Sequence, residues 1–305
     1  MTPLPSPRGP RRLGATAVEV GPIAYGCWRL AEGDADAARA KIAMALDLGM
    51  TLVDTADIYG FDGTAGFGRA EELLGEVLAA EPDMRDRMVL ATKGGIDPGI
   101  PYDSSVDYLR RAVDASLRRL CVDQIDLYQI HRHDLLVRPA DVAALFAELR
   151  AAGKVRWFGL SNVTASQIDL KASGLDEPLV TQQPKFSALD LEPCTDGVFD
   201  RCQRDNMTPL AWSPMAGGAL GDGVDPGDDA SARVLAVLDR LASNSGVRRS
   251  SVALAFVLAH PSQPIPIIGT QNLDRVRAAT EALEIELTRA EWYEIYQAST
   301  GVPLP

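Results

Sequence analysis

Cysteine is scarce: there are 4 in 305 residues, and none of Cys27, Cys121, Cys194 or Cys202 stands in a CxxC pair. That spacing offers neither a disulfide framework nor a thiolate metal site, so all four are expected as reduced thiols. Histidine is scarcer still, at 3, and no metal ligand set is expected. Long apolar runs are missing. Nothing approaches the roughly 18 residues of a membrane span, so no membrane association is expected. The opening stretch MTPLPSPRGPRR lacks the apolar core of a secretory leader. Residues 1–14 are expected to form a mobile Pro- and Arg-rich arm ahead of one domain over 15–305, in a cytoplasmic protein. Positive charge is in deficit, with 30 Lys and Arg against 42 Asp and Glu and a net charge of −12. That balance excludes the basic stripe of a nucleic-acid-binding protein. It does not exclude a phosphate-bearing small molecule, because helix ends and single arginines bind phosphate within acidic proteins.

What is present is a rhythm. Short apolar, β-branched runs occur at 22–26 (PIAYG), 51–54 (TLVD), 88–92 (MVLAT), 125–130 (IDLYQI), 155–160 (VRWFGL), 179–183 (LVTQQ), 208–212 (TPLAW) and 265–268 (IPII). Stretches with apolar residues at helical spacing alternate with them, at 37–48, 70–79, 106–120, 142–151, 165–172, 199–204, 231–259 and 273–283. Strand then helix, repeated eight times without a break in composition, predicts a single-domain α/β protein, a (β/α)8 TIM barrel. The alternative is an open doubly wound sheet, which would normally carry a GxGxxG turn after an early strand, and none is found. Asp34 and Asp141 sit where helix caps or first-turn acids belong. Gly49 and Gly153 supply left-handed helix ends before the next strand. The segment 213–230 is rich in Gly, Asp and Pro and is expected as a long loop, functional or disordered, starting at the C-terminal end of the seventh strand.

In a parallel barrel the residues just after each strand share one face, and active sites sit there. Asp54, Lys93 and His131 each follow an apolar run, and Tyr59 lies in the loop after Asp54. Taken singly, each has a plainer reading: a turn cap, a solvated strand end, a packed ring, a core histidine. Together they describe proton transfer. A phenol near pKa 10 exchanges protons poorly at neutral pH, and a neighbouring ammonium is expected to lower that pKa. Asp54 can hold Lys93 charged, and His131 can donate to a substrate oxygen. Such a group protonates an oxygen as negative charge builds on it. That is what carbonyl reduction needs, and since no side chain supplies hydride, a nicotinamide cofactor is implied.

The chain resembles the aldo-keto reductase family. The resemblance is carried by Asp54-Thr55-Ala56-Asp57-Ile58-Tyr59-Gly60, Arg69-Ala70-Glu71-Glu72-Leu73-Leu74-Gly75 and Ile125-Asp126-Leu127 leading to Ile130-His131-Arg132. Further matches are Gly153-Lys154-Val155-Arg156 leading to Gly159-Leu160-Ser161-Asn162, then Ala211-Trp212-Ser213-Pro214 and Pro266-Ile267-Ile268-Gly269-Thr270. They run in the family's order from Gly26 to Ala279.

The resemblance implies NAD(P)H-dependent, reversible reduction of aldehyde or ketone carbonyls to alcohols. Tyr59 would be the general acid/base, assisted by Lys93, Asp54 and His131. It implies cofactor contacts from Ser161, Asn162, Gln182, Trp212, Ser213, Met215, Gly217, Gly269, Thr270 and Arg275, and a substrate pocket lined by Trp28 and Phe61. Gly269 stands where relatives that grip the NADP 2′-phosphate often carry Lys, and Ala278-Ala279 where they often carry Asn or Glu-Asn. Arg275 and Thr270 remain, so NADPH is favoured over NADH. The loop FDGTAGFG after Tyr59 is longer than the minimal family version. The short tail ending GVPLP implies an open pocket tolerant of varied aldehydes and ketones. The expected partner is a small carbonyl substrate, with no nucleic acid, and the protein a monomer or weak homo-oligomer. Two other functions compete: a nicotinamide-binding regulatory or sensor protein on the same fold, and a metal-dependent barrel enzyme.

Overall fold

The structure, a computed structural model, describes residues 3, 4 and 7–305. Strands β1 (Arg11–Arg12) and β2 (Glu19–Val20) pair as a short antiparallel hairpin. Eight further strands close into a barrel: β3 (Ala24–Gly26), β4 (Leu52–Asp54), β5 (Val89–Gly94), β6 (Ile125–Ile130), β7 (Val155–Ser161), β8 (Thr181–Gln183), β9 (Thr208–Ala211) and β10 (Ile265–Ile268). Every neighbouring pair is parallel, and β10 closes the ring on β3. Each strand falls within or beside one of the eight apolar runs read from the sequence.

The helices of the outer shell are α1 (Ala35–Asp47), α2 (Arg69–Ala80), α3 (Asp83–Asp86), α4 (Val106–Arg119), α5 (Pro139–Ala151), α6 (Ala165–Ala172), α7 (Val198–Arg204), α8 (Asp229–Ser245), α9 (Arg249–Leu258), α10 (Leu273–Ala278) and α11 (Arg289–Thr300). Asp34 caps α1 by accepting from Ala37 N at 2.8 Å, and Gly49 and Gly153 take φ of 80° and 71°. The stretch 231–259, read as one helical run, is two helices. Gly246 ends α8 in the left-handed region at φ 66°, a conformation that costs an L side chain about 1–2 kcal/mol.

Side-chain alternation along the strands sorts the barrel interior into layers. Leu52, Ala91 and Leu127 belong to an apolar cluster with Val20, Val180 and Leu210. Two residues further along the same strands stand Asp54, Lys93 and Gln129. The interior therefore changes from apolar to polar toward the C-terminal ends of the strands.

The same apolar cluster includes Leu13, which is fully buried. Gly14 N donates to Thr208 Oγ1 at 2.7 Å, and Leu4 N donates to Leu287 O at 2.8 Å. Residues 11–14, expected as part of an arm, are thus docked on the barrel. Met1, Thr2, Pro5 and Ser6 of that expected arm lie outside the described residues.

Candidate active site

Strand pairing brings the expected residues together. Gly26 is paired with Asp54, and Asp54 with Ala91. Lys93 is paired with Gln129, so Asp54 and Lys93 stand within two residues of each other's level toward the C-terminal ends of neighbouring strands. Lys93 Nζ donates to Asp54 Oδ2 and to Thr55 O, each at 2.7 Å. Both charged side chains are buried, at 0% and 3% exposure.

The sequence reading missed what holds the other carboxylate oxygen. Gln183 Nε2 donates to Asp54 Oδ1 at 3.0 Å, and Gln129 Nε2 approaches the same atom at 3.4 Å. Thr181 Oγ1 in turn donates to Gln129 Oε1 at 3.1 Å. A buried ion pair persists only when its remaining hydrogen-bonding capacity is met, and these amides meet it. The signal was present in the sequence as glutamines inside the strand runs IDLYQI and LVTQQ.

Tyr59 stands above this pair on a loop pinned at both ends. Asp57 N donates to Lys93 O at 3.0 Å, and Ala70 N, in the first turn of α2, donates to Tyr59 O at 3.1 Å. The Lys93 ammonium lies 4.9 Å from the centroid of the Tyr59 ring. The His131 ring meets the Tyr59 ring edge-on, with centroids 5.9 Å apart. His131 Nδ1 is buried without a hydrogen-bond partner among the described residues.

The electrostatics correct one expectation. Burial pushes the Tyr59 phenol upward, Lys93 pulls it down and Asp54 pushes it up again, and the net direction is above the ordinary 10. The ammonium does not win because burial of the phenol outweighs it, with Asp54 opposing it as well. For Lys93 itself, burial acts downward but Asp54 and Tyr59 together hold the ammonium above its usual value. Burial drives His131 well below 6.5, with Lys93 and Arg132 acting in the same direction. At neutral pH the constellation is therefore a charged pair, a protonated phenol and a neutral imidazole.

A second hydrogen-bonded chain adjoins the first. Trp212 Nε1 donates to Asn162 Oδ1 at 2.9 Å. Asn162 Nδ2 donates to Ser161 Oγ at 2.8 Å and to His131 O at 3.3 Å, and Ser161 Oγ donates to Gln183 O at 3.1 Å. Asn162 is held at φ 54°, a left-handed conformation that asparagine tolerates better than most residues. Gln182 Nε2 donates to Val163 O at 2.9 Å, while its Oε1 is buried and unpartnered among the described residues.

Ser213 Oγ accepts from Gly217 N at 2.9 Å in a tight turn that also carries Met215. A side chain at Gly217 or Gly218 would meet no atom within 4 Å, so this backbone borders open space. Gly269 and Thr270 follow β10, and Thr270 O accepts from the Tyr25 hydroxyl at 3.3 Å. Arg275, on α10, is exposed and makes no ion pair among the described residues. Trp28 follows β3, is 62% exposed and lies under the Arg29 guanidinium at 5.4 Å. Phe61 packs edge-on against Phe67 in the loop after Tyr59.

A closed parallel barrel with an acid, an ammonium, a phenol and an imidazole at its C-terminal mouth defines a class, and comparison with known proteins identifies it. The family model described as the aldo/keto reductase family matches residues 22–300, and the chain belongs to that family. It is 48% identical, over 100% of both sequences, to a 6-dehydroglucose reductase of Novosphingobium aromaticivorans. It is 35% identical to a 6-dehydroglucose reductase of Agrobacterium fabrum, covering 93% of this chain and 96% of that protein. Oxidoreductase YdhF of Escherichia coli is 36% identical over 98% of each. A thermostable aldo-keto reductase solved with the inhibitor epalrestat superposes with a TM-score of 0.80, over 95% of this chain and 99% of that one, at 24% identity. The last comparison bears on the fold alone. Family membership makes the protein an oxidoreductase of carbonyl groups, from a family that generally uses NAD(P)H.

Proposed function

We propose that this protein reduces the aldehyde of an oxidised sugar, 6-dehydroglucose or a close analogue, with NADPH, and that Tyr59 delivers the proton. The observation that carries the chemistry is the buried Lys93–Asp54 pair, 2.7 Å across, placed under a protonated phenol and beside a neutral imidazole. The substrate class rests on full-length likeness to the relative named for that aldehyde.

The residues suit a nicotinamide. The orphaned Gln182 Oε1 is an acceptor for a carboxamide N–H, with Ser161 and Asn162 beside it. Trp212, its indole fixed by Asn162, offers a flat face for the ring. The turn of Ser213, Met215 and Gly217, open beside Gly217, suits a pyrophosphate, whose oxygens accept from main-chain N–H groups, with Gly217 N exchanging its bond to Ser213 Oγ for one to the phosphate. Gly269, Thr270 and Arg275 are left for the adenosine phosphate, where a guanidinium contact favours NADPH. When bound, the nicotinamide supplies hydride to the carbonyl carbon.

The chain's own residues do the rest. Neutral His131 donates to the carbonyl oxygen and fixes its position. Tyr59 gives its proton to that oxygen as charge develops. Lys93, held charged by Asp54, stabilises the phenolate that remains, and the glutamine amides stop Asp54 from turning away. The rim is left to loops, because the tail folds back onto α11, where Leu304 N donates to Gln297 Oε1 at 2.7 Å. Trp28 and Phe61 shape one side of the opening, and its openness admits simple aldehydes and ketones as secondary substrates.

Steady-state NADPH consumption with 6-dehydroglucose and with benzaldehyde tests this reading. We expect kcat/KM for the sugar aldehyde to exceed that for benzaldehyde by about ten-fold or more, as hydrogen-bonded hydroxyls would give. Turnover of simple carbonyls with none of the sugar would remove the substrate; no turnover of either would remove the reductase. Tyr59→Phe is expected to lower kcat by roughly 10²–10⁴-fold while NADPH binding, followed by quenching of tryptophan fluorescence, persists. Retained turnover would mean another acid. Arg275→Ala is expected to weaken NADPH about ten-fold and NADH little; equal weakening would place the 2′-phosphate elsewhere.

A further inference from the structure

The strand ends that carry Tyr59 leave the opposite face of the barrel without a role. A cavity of about 280 Å³ opens there, lined by Leu4, His260, Pro261, Arg289, Trp292 and Tyr293. Its place follows from the chain path. His260 and Pro261 belong to the turn that enters the N-terminal end of β10, and in a parallel barrel all such ends share one face. Small-molecule pockets start at roughly 300 Å³, so the space is of the right order for a compact ligand.

Its walls are built rather than incidental. Trp292 is stacked on Phe256 at 4.8 Å and 13°, and its indole N–H is spent on Phe256 O at 3.1 Å. Tyr293 stands edge-on to Trp292 at 5.3 Å and 88°. Trp292 is only 8% exposed and Tyr296 also lies nearly parallel to it at 5.7 Å and 20°, so the aromatic face left to a ligand is that of the half-exposed Tyr293, on which a flat ring can stack. His260 Nδ1 accepts from Ser262 N at 3.2 Å, so its network assigns the proton to Nε2 and makes the imidazole a neutral donor.

The charge is one-sided. Arg289, the first residue of α11, is exposed and has no ion-pair partner among the described residues. Many other arginines of this acidic chain are paired, among them Arg240 with Glu294 and Arg249 with Asp239. No carboxylate is among the described residues that line the cavity. An unpaired guanidinium presents a fork that matches a carboxylate with two parallel bonds.

We propose that this cavity is a second small-molecule site, remote from Tyr59, which takes a flat aromatic carboxylate. The ring lies on Tyr293, with buried Trp292 behind it, the carboxylate on Arg289, and His260 donates to it.

The test titrates 1-naphthoate into the full chain saturated with NADPH, by calorimetry, with carbonyl reduction measured in parallel. Saturable binding is expected, about ten-fold weaker in Arg289→Gln, as for a lost charge-assisted bond. Tyr293→Ala should also weaken it, and the neutral 1-naphthamide should bind about ten-fold less tightly than the acid to the unaltered chain. Neither variant should change carbonyl reduction. Three results would each overturn the proposal: no saturable binding, the same affinity in both variants, or a single site at which naphthoate competes with the carbonyl substrate.

Discussion

At the scale of single residues, Asp54 carries more of the site than its burial beneath Lys93 suggests. One oxygen holds the Lys93 ammonium at 2.7 Å and the other takes two glutamine amides. Removing one partner of a buried pair leaves the other charge uncompensated, at a cost of roughly 3–5 kcal/mol. Asp54→Ala is therefore expected to lower the unfolding free energy by about that amount, read from urea denaturation, and to lose activity. Asp54→Asn keeps the shape and one acceptor, so it should recover part of the stability while Lys93 loses the charge that holds it ionised. Stability of Asp54→Asn equal to that of the unaltered chain would show that the carboxylate's charge contributes nothing. The net upward direction at Tyr59 has a kinetic counterpart. The phenol stays protonated through neutral pH, so reduction should be level there and fall only as pH rises past its raised pKa.

At the scale of elements, most of the barrel was legible because each of its strands is a short apolar run and most of the helices between them carry apolar residues at helical spacing, whereas α3, of four residues, and α11, beyond the last run, were not read. The site was legible for the same reason: Asp54, Lys93 and His131 stand at run ends, and a parallel barrel gathers run ends. The β1–β2 hairpin was not legible, since strands of two residues are too short to show alternation. The direction of the Tyr59 shift was not legible either, because burial belongs to tertiary structure, whereas the neighbouring ammonium could be read from sequence. The break inside 231–259 could have been read from Gly246. Close approach of helices is another such case. A Cβ on Gly75 of α2 would lie 1.9 Å from Arg119 O, and Arg119 at the end of α4 is tied to buried Glu71 of α2 through Arg119 Nη2 and Glu71 Oε2 at 2.6 Å. Gly75→Ala must push the two helices apart, and we expect a loss of about 3 kcal/mol or more, beyond the usual range for overpacking. Gly246→Ala meets no atom within 4 Å and should cost only about 1–2 kcal/mol of backbone strain. If thermal or urea unfolding ranks the two the other way, α2 and α4 have more freedom to separate than their contact implies.

At the scale of the whole molecule, the scarcity of histidine makes acid behaviour simple to apportion. His131 is driven well below 6.5 by burial, and His260 to about 4. Both are neutral in the fold and both gain a proton in the unfolded chain once the pH passes below 6.5. A depressed folded pKa means stability that is complete above the unfolded value and is lost as pH falls toward the folded one. Asp57 acts with the opposite sign. It is buried, has no hydrogen-bond partner for either oxygen among the described residues, and burial raises it well above 3.8. Its contribution is fullest below that value and is lost as pH rises. Between the unfolded histidine value and pH 4 these two histidines, with the more exposed His133 lowered by burial in the same direction, therefore pull stability down on acidification, while Asp57 offsets part of the loss. Urea unfolding measured across that window should show a fall in which each histidine accounts for at most roughly 1.4 kcal/mol per pH unit. His260→Gln, which cannot titrate, should flatten the slope by up to that one-proton amount and leave the alkaline side unchanged. An identical slope in the variant would mean that His260 is as easily protonated in the fold as in the open chain, and that the aromatic cluster around it does not exclude charge.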